Sequence, residues 1–170
     1  NQTHICYYQA RNQRYIWDTE NMYFSWWQKT LLAPLLFLLR KIDIKHSGRP
    51  DYIIANSLFV KDWIKKNYNI ESSVIYPPVD TKLFKFQKNK QDYFITTARL
   101  EPYKRVDLLV KTFNKTGDVL YVVGDGSMKK RLRKTAKQNI KFFDFLEPKE
   151  VMELVSKAKA FVHAGIEDFG

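Results

Sequence analysis

The run DYFITTARLEPYKRVDLLVKTF, Asp92–Phe113, changes its hydrophobic period halfway along. Tyr93–Thr97 is β-prone, Pro102 marks a turn, and Val106, Leu109, Val110 and Phe113 then recur at helical spacing. The reading is strand, loop, helix. Open α/β sheets take ligands where a strand end feeds a helix N-terminus, and Arg99 and Lys104 lie in that loop. Two cations beside a helix start suit a diphosphate. A solvated loop on a basic protein accounts for the same residues, because the loop carries no glycine-rich fingerprint.

Downstream the alternation repeats. Strands are expected at 93–97, 119–123, 140–143 and 160–163, with helices at 105–115, 127–137 and 148–158 between them. That order is the pattern of a parallel, doubly wound sheet. Gly124, Asp125 and Gly126 end one strand and open a helix, so their amides are placed to face a phosphate or a sugar; a glycine turn needed only for tight reversal explains them equally. The helix from Ser127 puts Met128, Leu132 and Ala136 on one face and six cations around the rest. Contact with nucleic acid or lipid is one reading and a solvated face the other, since no aromatic residues interleave for base stacking.

Upstream, His4–Tyr8 reads as a buried strand and Gln9–Arg14 as a loop at its carboxyl end. Tyr23–Ile42 is rich in aromatics and leucines at roughly helical intervals around Pro34. It is either a core helix with a proline kink or an interfacial helix, with paired Trp26 and Trp27 and the cations Arg40 and Lys41, lying on a membrane. Asp51–Ala55 is a further strand, and Asn56-Ser57 caps a helix whose apolar side is Phe59, Val60, Trp63 and Ile64. Val74–Tyr76 is another strand. Pro77-Pro78 then stops regular structure, and the polar run Lys85–Gln91 is an exposed connection. This divides the chain into 1–76, a linker at 77–91, and 92–170.

With 170 residues and 45% hydrophobic content the chain can fill one sizeable core or two small α/β lobes. Cys6 is the only cysteine, which excludes an internal disulfide framework and favours a reducing compartment. There is no Cys/His metal cluster. The formal net charge of +11 and pI near 9.6 imply an anionic partner: nucleic acid, an acidic membrane surface or a phosphate-bearing substrate. No leader-like segment follows Asn1, and the apolar run Leu31–Leu39, broken by Pro34, falls far short of the ~20 residues that span a bilayer.

Six stretches in order and at family-like spacing resemble one family. They are HICYYQ and RYIWD within His4–Asp18, RPDYIIANSLFVKDWIKKNY (Arg49–Tyr68), VIYPPVDTKLF (Val74–Phe84), ARLEPYKRVDLL (Ala98–Leu109), VVGDGSMKKRLRK (Val122–Lys134) and AFVHAGIEDFG (Ala160–Gly170). The family is that of the retaining GT-B glycosyltransferases (family 4, or group 1), in its mannosyltransferase-like branch. The resemblance implies an α/β fold of GT-B type: a Rossmann-like donor-binding lobe after residue 92, preceded by the end part of an N-terminal, acceptor-side α/β lobe. It implies a nucleoside diphosphate sugar as donor, GDP-mannose or a UDP-sugar, with no further cofactor and no metal. Sugar passes with retention to a glycan or lipid-linked acceptor hydroxyl in polysaccharide biosynthesis.

By the same resemblance, Arg99 and Lys104 hold the donor diphosphate and stabilise its leaving charge. Glu167 is the first acid of a paired-glutamate motif that holds the donor sugar's hydroxyls, and Gly124, Asp125, Gly126, Asp168, Phe169 and Gly170 join the binding set. His4 either touches the transferring sugar and assists proton movement or is structural. Relatives carry a second histidine and a proline where Gln9 and Arg11 stand, and a glycine where Asp144 stands. The expectation is therefore a partial chain that binds donor weakly and does not turn over alone. It is expected to be cytoplasmic, including the inner face of the membrane, with peripheral membrane association and no nucleic acid. The rivals are a non-catalytic basic module for nucleic acid or acidic membrane, and a degenerate homologue.

Overall fold

In the first 76 residues, three short strands are separated by one long and one medium helix. The computed structural model describes residues 2–11, 13–83 and 86–169. Strands β1 (Ile5–Tyr8), β2 (Tyr52–Ala55) and β3 (Ser73–Val74) form a parallel sheet in that order. Helical turns α1 (Arg14–Trp17) and α2 (Glu20–Tyr23), then α3 (Trp26–Ser47), lead from β1 to β2, and α4 (Leu58–Tyr68) leads from β2 to β3. Ser57 caps α4 as expected, its hydroxyl accepting from Val60 N at 3.1 Å. Val60, Trp63, Ile64 and Tyr68 then fall on one face and pack with Tyr8, Ile53 and Ala55. Burial of each such apolar side chain contributes about 1.5–3 kcal/mol. The buried polar ends are answered too: Asp43 accepts from Trp17 Nε1 and Tyr68 Oη, and Asp18 from Trp63 Nε1.

Two expectations for this part need correction. The strand at His4–Tyr8 is not buried throughout: Cys6 and Tyr8 face the core, while Ile5 and Tyr7 alternate onto the opposite face and are exposed. The helix expected over 23–42 starts at Trp26, where Ser25 and Gln28 form a capping box, and runs through Pro34 to Ser47. It is no core helix either. Only Leu36 and Ser47 of α3 are buried, while Trp26 is 77% and Leu31 73% exposed. No described helix is long and apolar enough to cross a membrane.

The alternation read from Asp92 onward is realised in a second sheet. Strands β4 (Gln91–Thr97), β5 (Leu120–Val123), β6 (Ile140–Phe143) and β7 (Ala158–Phe161) are all parallel, in the order β6-β5-β4-β7. Helices α5 (Val106–Thr116), α6 (Lys129–Thr135) and α7 (Pro148–Lys157) connect them. Side chains alternate across the sheet as the pleat demands. Phe94, Leu120 and Val122 meet Val106, Val110 and Phe113 of α5 and Leu132 of α6 on one side. Tyr93, Ile95 and Val123 meet Val151, Leu154 and Val155 of α7 on the other. Helices on both faces make the sheet doubly wound. Helix α6 is shorter than the expected 127–137: Ser127 N and Oγ donate to the Glu101 carboxylate, Met128 N donates to Leu100 O, and Ala136 is already extended.

The chain groups into two units, Asn1–Val79 with Glu167–Gly170, and Asp80–Ile166. The first break, after Val79, falls inside the expected linker 77–91, whereas Glu167–Gly170 groups with the first unit rather than with 92–166. The end of the chain leaves the second unit at Ile166 because Asp168 is bonded to Arg11, Arg14 and Ser57.

Candidate active site

The order β6-β5-β4-β7 means that the chain winds from β4 out to β6 and then returns to the other side of β4. The reversal lies between β4 and β7, and a crevice at the carboxyl ends of those strands is the default ligand position in an open α/β sheet. Arg99 and Lys104 are on the loop that leaves β4, and His163 and Gly165 follow β7. These loops pack closely. A Cβ on Gly165 would lie 3.1 Å from Lys104 Cα, 3.1 Å from Tyr103 O and 3.1 Å from His163 Nε2. Pro102–Lys104 forms a single 3-10 turn, and Arg105, at φ 53°, redirects the chain into α5. Lys104 is half-buried with Nζ 5.3 Å from the centre of the Tyr103 ring, and Arg99 is exposed. Both cations thus lie on the loop between the carboxyl end of β4 and the N-terminus of α5.

Glu101 shares this loop. It accepts from Ser127 N at 3.0 Å and Ser127 Oγ at 2.6 Å, and these bonds, with the nearby Arg99 charge, hold its carboxyl below the usual range. Sequence reasoning passed over Glu101, Ser127, His163 and Gly165. The rule that singled out Arg99, position just beyond a strand's carboxyl end, would also have found His163; the Glu101–Ser127 bond joins two loops and leaves no local trace.

Gly124–Gly126 sits at the carboxyl end of β5. The structure adds a constraint that neither reading from sequence contained, a close approach of backbone to both glycines. A Cβ on Gly124 would stand 2.0 Å from Ala98 O, and one on Gly126 2.7 Å from three Leu100 backbone atoms. Leu100 N donates to Asp125 O and Met128 N to Leu100 O, both at 2.8 Å, so the two loops are laced together. Gly124 N donates to Phe143 O and Gly126 N to Asp125 Oδ1. Asp125 also pairs with Lys129, which reaches Asp144 at 2.9 Å; Arg133 meets the same Asp144 oxygen at 2.7 Å. Asp144, where relatives carry glycine, thus pairs with two cations of α6.

His4 lies at the start of the first sheet's edge strand. It precedes β1, at the amino end of the strand, with its backbone N bonded to Asp51 and its backbone O accepting from Asp51 and Tyr52. Ligand crevices form at the opposite end. There the first unit has a cavity of about 400 Å³ lined by residues including Tyr8, Gln9, Arg11 and Arg14. Glu167, Asp168 and Phe169 belong to this first unit, while Arg99, Lys104 and Gly124–Gly126 belong to the second. Gly170 lies outside the described residues.

Residues 79–170 match the family described as Glycosyl transferases group 1. The O-antigen chain mannosyltransferase RfbU of Salmonella typhimurium is 29% identical over 143 residues, covering 78% of this chain and 39% of RfbU. The chain thus spans well under half of that curated relative. Among solved structures, Anabaena Alr3699/HepE in complex with UDP aligns with a TM-score of 0.66 at 15% identity, covering 95% of this chain and 46% of HepE. A TarM variant of S. aureus, solved with fondaparinux, alpha-GlcNAc-glycerol and UDP, aligns with a TM-score of 0.57 at 18% identity, covering 72% of this chain and 27% of TarM. At these identities the likeness concerns the fold, which is α/β and of GT-B type.

Proposed function

Since the chain belongs to the group 1 glycosyl transferases, we propose that it serves an enzyme moving mannose from GDP-mannose, or failing that another sugar from a UDP-sugar, to the hydroxyl of a glycan or lipid-linked acceptor with retention. The observation that carries this reading is the placement of Arg99 and Lys104 together on the loop leaving β4, where the strand order reverses. In the transition state, charge builds on the leaving diphosphate. Fixed cations at a helix N-terminus stabilise that charge more than the ground state, which is what lowers a barrier. Glu167 takes the donor sugar's hydroxyls. Mannose is favoured by the likeness to RfbU.

The test is a titration of GDP-mannose and UDP-glucose into the 170-residue chain by calorimetry or ligand-detected NMR. Saturable binding of one donor, competed by the free nucleoside diphosphate, is expected. Absence of donor binding, together with DNA binding that falls steeply with salt, would replace this reading with that of a basic nucleic-acid module.

We further propose that the enzyme works at the inner face of the cytoplasmic membrane, docked through α3. Trp27, Leu31, Leu35, Leu38 and Ile42 share one exposed stripe of that helix. Its single carboxylate, Asp43, is engaged by Trp17 and Tyr68, while Lys41 and Lys45 stay exposed. An apolar stripe flanked only by cations suits an anionic lipid surface. Sedimentation with phosphatidylglycerol vesicles is expected, and Leu31→Ser with Leu38→Ser should reduce it about tenfold or more; equal sedimentation of parent and variant would overturn the docking.

A further inference from the structure

Helices α5 and α6 lie side by side on one face of the second sheet, where Val110 and Leu132 pack into the same core. Those two residues, each 2% exposed, floor a groove between the helices. Lys111 and Lys115 of α5, Arg131 of α6 and Lys137 just beyond α6 line its sides, around a cavity of about 450 Å³. Small-ligand sites typically enclose about 300–1,000 Å³. Both helices run back from the carboxyl edge of the sheet, so Lys115 and Lys137 stand at its amino edge, shortly before β5 and β6 begin. Arg99 and Lys104 follow β4 at the opposite edge. The groove is therefore separate from the candidate active site.

The charge of the groove is uncompensated. Lys111, Lys115 and Arg131 are exposed and, among the described residues, have no carboxylate partner. Asp107, the carboxylate in the lining, is held by Arg105 at 3.2 Å. Another side of α6 is arranged differently: Lys129 and Arg133 both pair with Asp144, and Lys129 with Asp125 as well. Lys111 and Lys115, one turn apart, cost α5 a little through like-charge repulsion. An anion between them would reverse the sign of that cost.

The frame around these charges is fixed. Asn114 Nδ2 donates to Thr135 O at 2.8 Å, its Oδ1 accepts from Lys137 N at 2.9 Å, and Lys137 Nζ donates to Asn114 O at 3.0 Å. Asn139 Nδ2 ties the next residues to Phe113 O and Asp118 O. The last turn of α5 and the chain leaving α6 are thus bonded together, so the backbones that carry the cations are ordered before any ligand arrives. An arginine fork with three ammonium groups suits phosphate oxygens. The lining has no aromatic ring on which a nucleobase could stack.

We propose that the groove between α5 and α6 is a second anion site, in which Lys111, Lys115, Arg131 and Lys137 take a phosphate-bearing ligand of at least two negative charges. Such a site operates independently of donor binding at Arg99 and Lys104. A free phosphorylated molecule and a lipid headgroup present the same chemistry to it.

The probe is pyrophosphate, titrated into the 170-residue chain at constant ionic strength and read residue by residue from amide shifts. Saturable shifts are expected across 110–115 and 131–137. Lys111→Gln with Arg131→Gln, both exposed and so compatible with the fold, should weaken that binding about tenfold or more. Arg99→Ala with Lys104→Ala should leave it unchanged. Vesicles containing phosphatidic acid, added to the chain carrying Leu31→Ser and Leu38→Ser, identify the source. Sedimentation that is lost on adding Lys111→Gln with Arg131→Gln assigns a lipid headgroup; its absence beside saturable pyrophosphate binding assigns a free phosphorylated molecule. Shifts that only grow linearly with pyrophosphate, without such sedimentation, overturn the site. Shifts that survive Lys111→Gln with Arg131→Gln, or vanish in Arg99→Ala with Lys104→Ala, overturn it equally.

Discussion

Replacing both Arg99 and Lys104 by alanine in the complete protein is expected to lower kcat/KM for the nucleotide-sugar donor by about three orders of magnitude. A charge-assisted contact to a phosphate oxygen contributes about 1.5–3 kcal/mol, and two together come to about 3–6 kcal/mol if they act independently, or about 10²–10⁴ in rate. They share one ligand and one loop, so the double variant will depart from the sum of the singles. Stability should move little. Arg99 is exposed, and the backbone bonds of the loop, Glu101 N to Arg99 O and Lys104 N to Glu101 O, survive truncation of either side chain. If the double variant turns over donor at the parent's rate, the diphosphate does not sit at the β4 exit and the site must be sought elsewhere.

The position of that loop, between β4 and α5, was legible from sequence because two local codes agreed there. Tyr93–Thr97 alternates across a sheet, and Val106, Val110 and Phe113 repeat along a helix, so the loop between them could only be a strand-to-helix turn at the sheet's carboxyl edge. The other parallel strands were found near their true positions for the same reason. Where the local code was ambiguous, the reading slipped. The helix read over 23–42 around Pro34 runs instead from Trp26, where Ser25 and Gln28 form a capping box, through Pro34 to Ser47, and its face is exposed rather than part of a core. His4 sits at the amino end of β1, the start of the strand at which the sequence had placed it. The grip of Arg11 on Asp168 joins residues 157 positions apart. No periodicity or spacing encodes such a pair, so the grouping of Glu167–Gly170 with the first unit left no mark in the sequence.

Gly124→Ala is expected to destabilise the second unit by on the order of 3–5 kcal/mol if close backbone packing, and not ligand approach alone, demands that glycine. At φ 140° the backbone is in territory that side chains rarely adopt, and the new Cβ would stand 2.0 Å from Ala98 O. Backbone, not a flexible side-chain tip, is in the way. Relief requires separating the β4 and β5 exits, which puts at risk the bonds from Ala98 N to Val123 O, Leu100 N to Asp125 O and Met128 N to Leu100 O. Those three bonds hold the loop that carries Arg99 and Lys104, so donor binding should fall with stability. Gly117→Ala is the internal control. It has φ 82° but nothing within 4 Å of its Cβ position, so it should cost only the left-handed backbone penalty of about 1–2 kcal/mol. Urea denaturation of both variants without ligand separates the readings. If Gly124 served only to let a phosphate approach, the ligand-free variant would lose no more stability than Gly117→Ala, and close backbone packing would be the wrong account of the glycine.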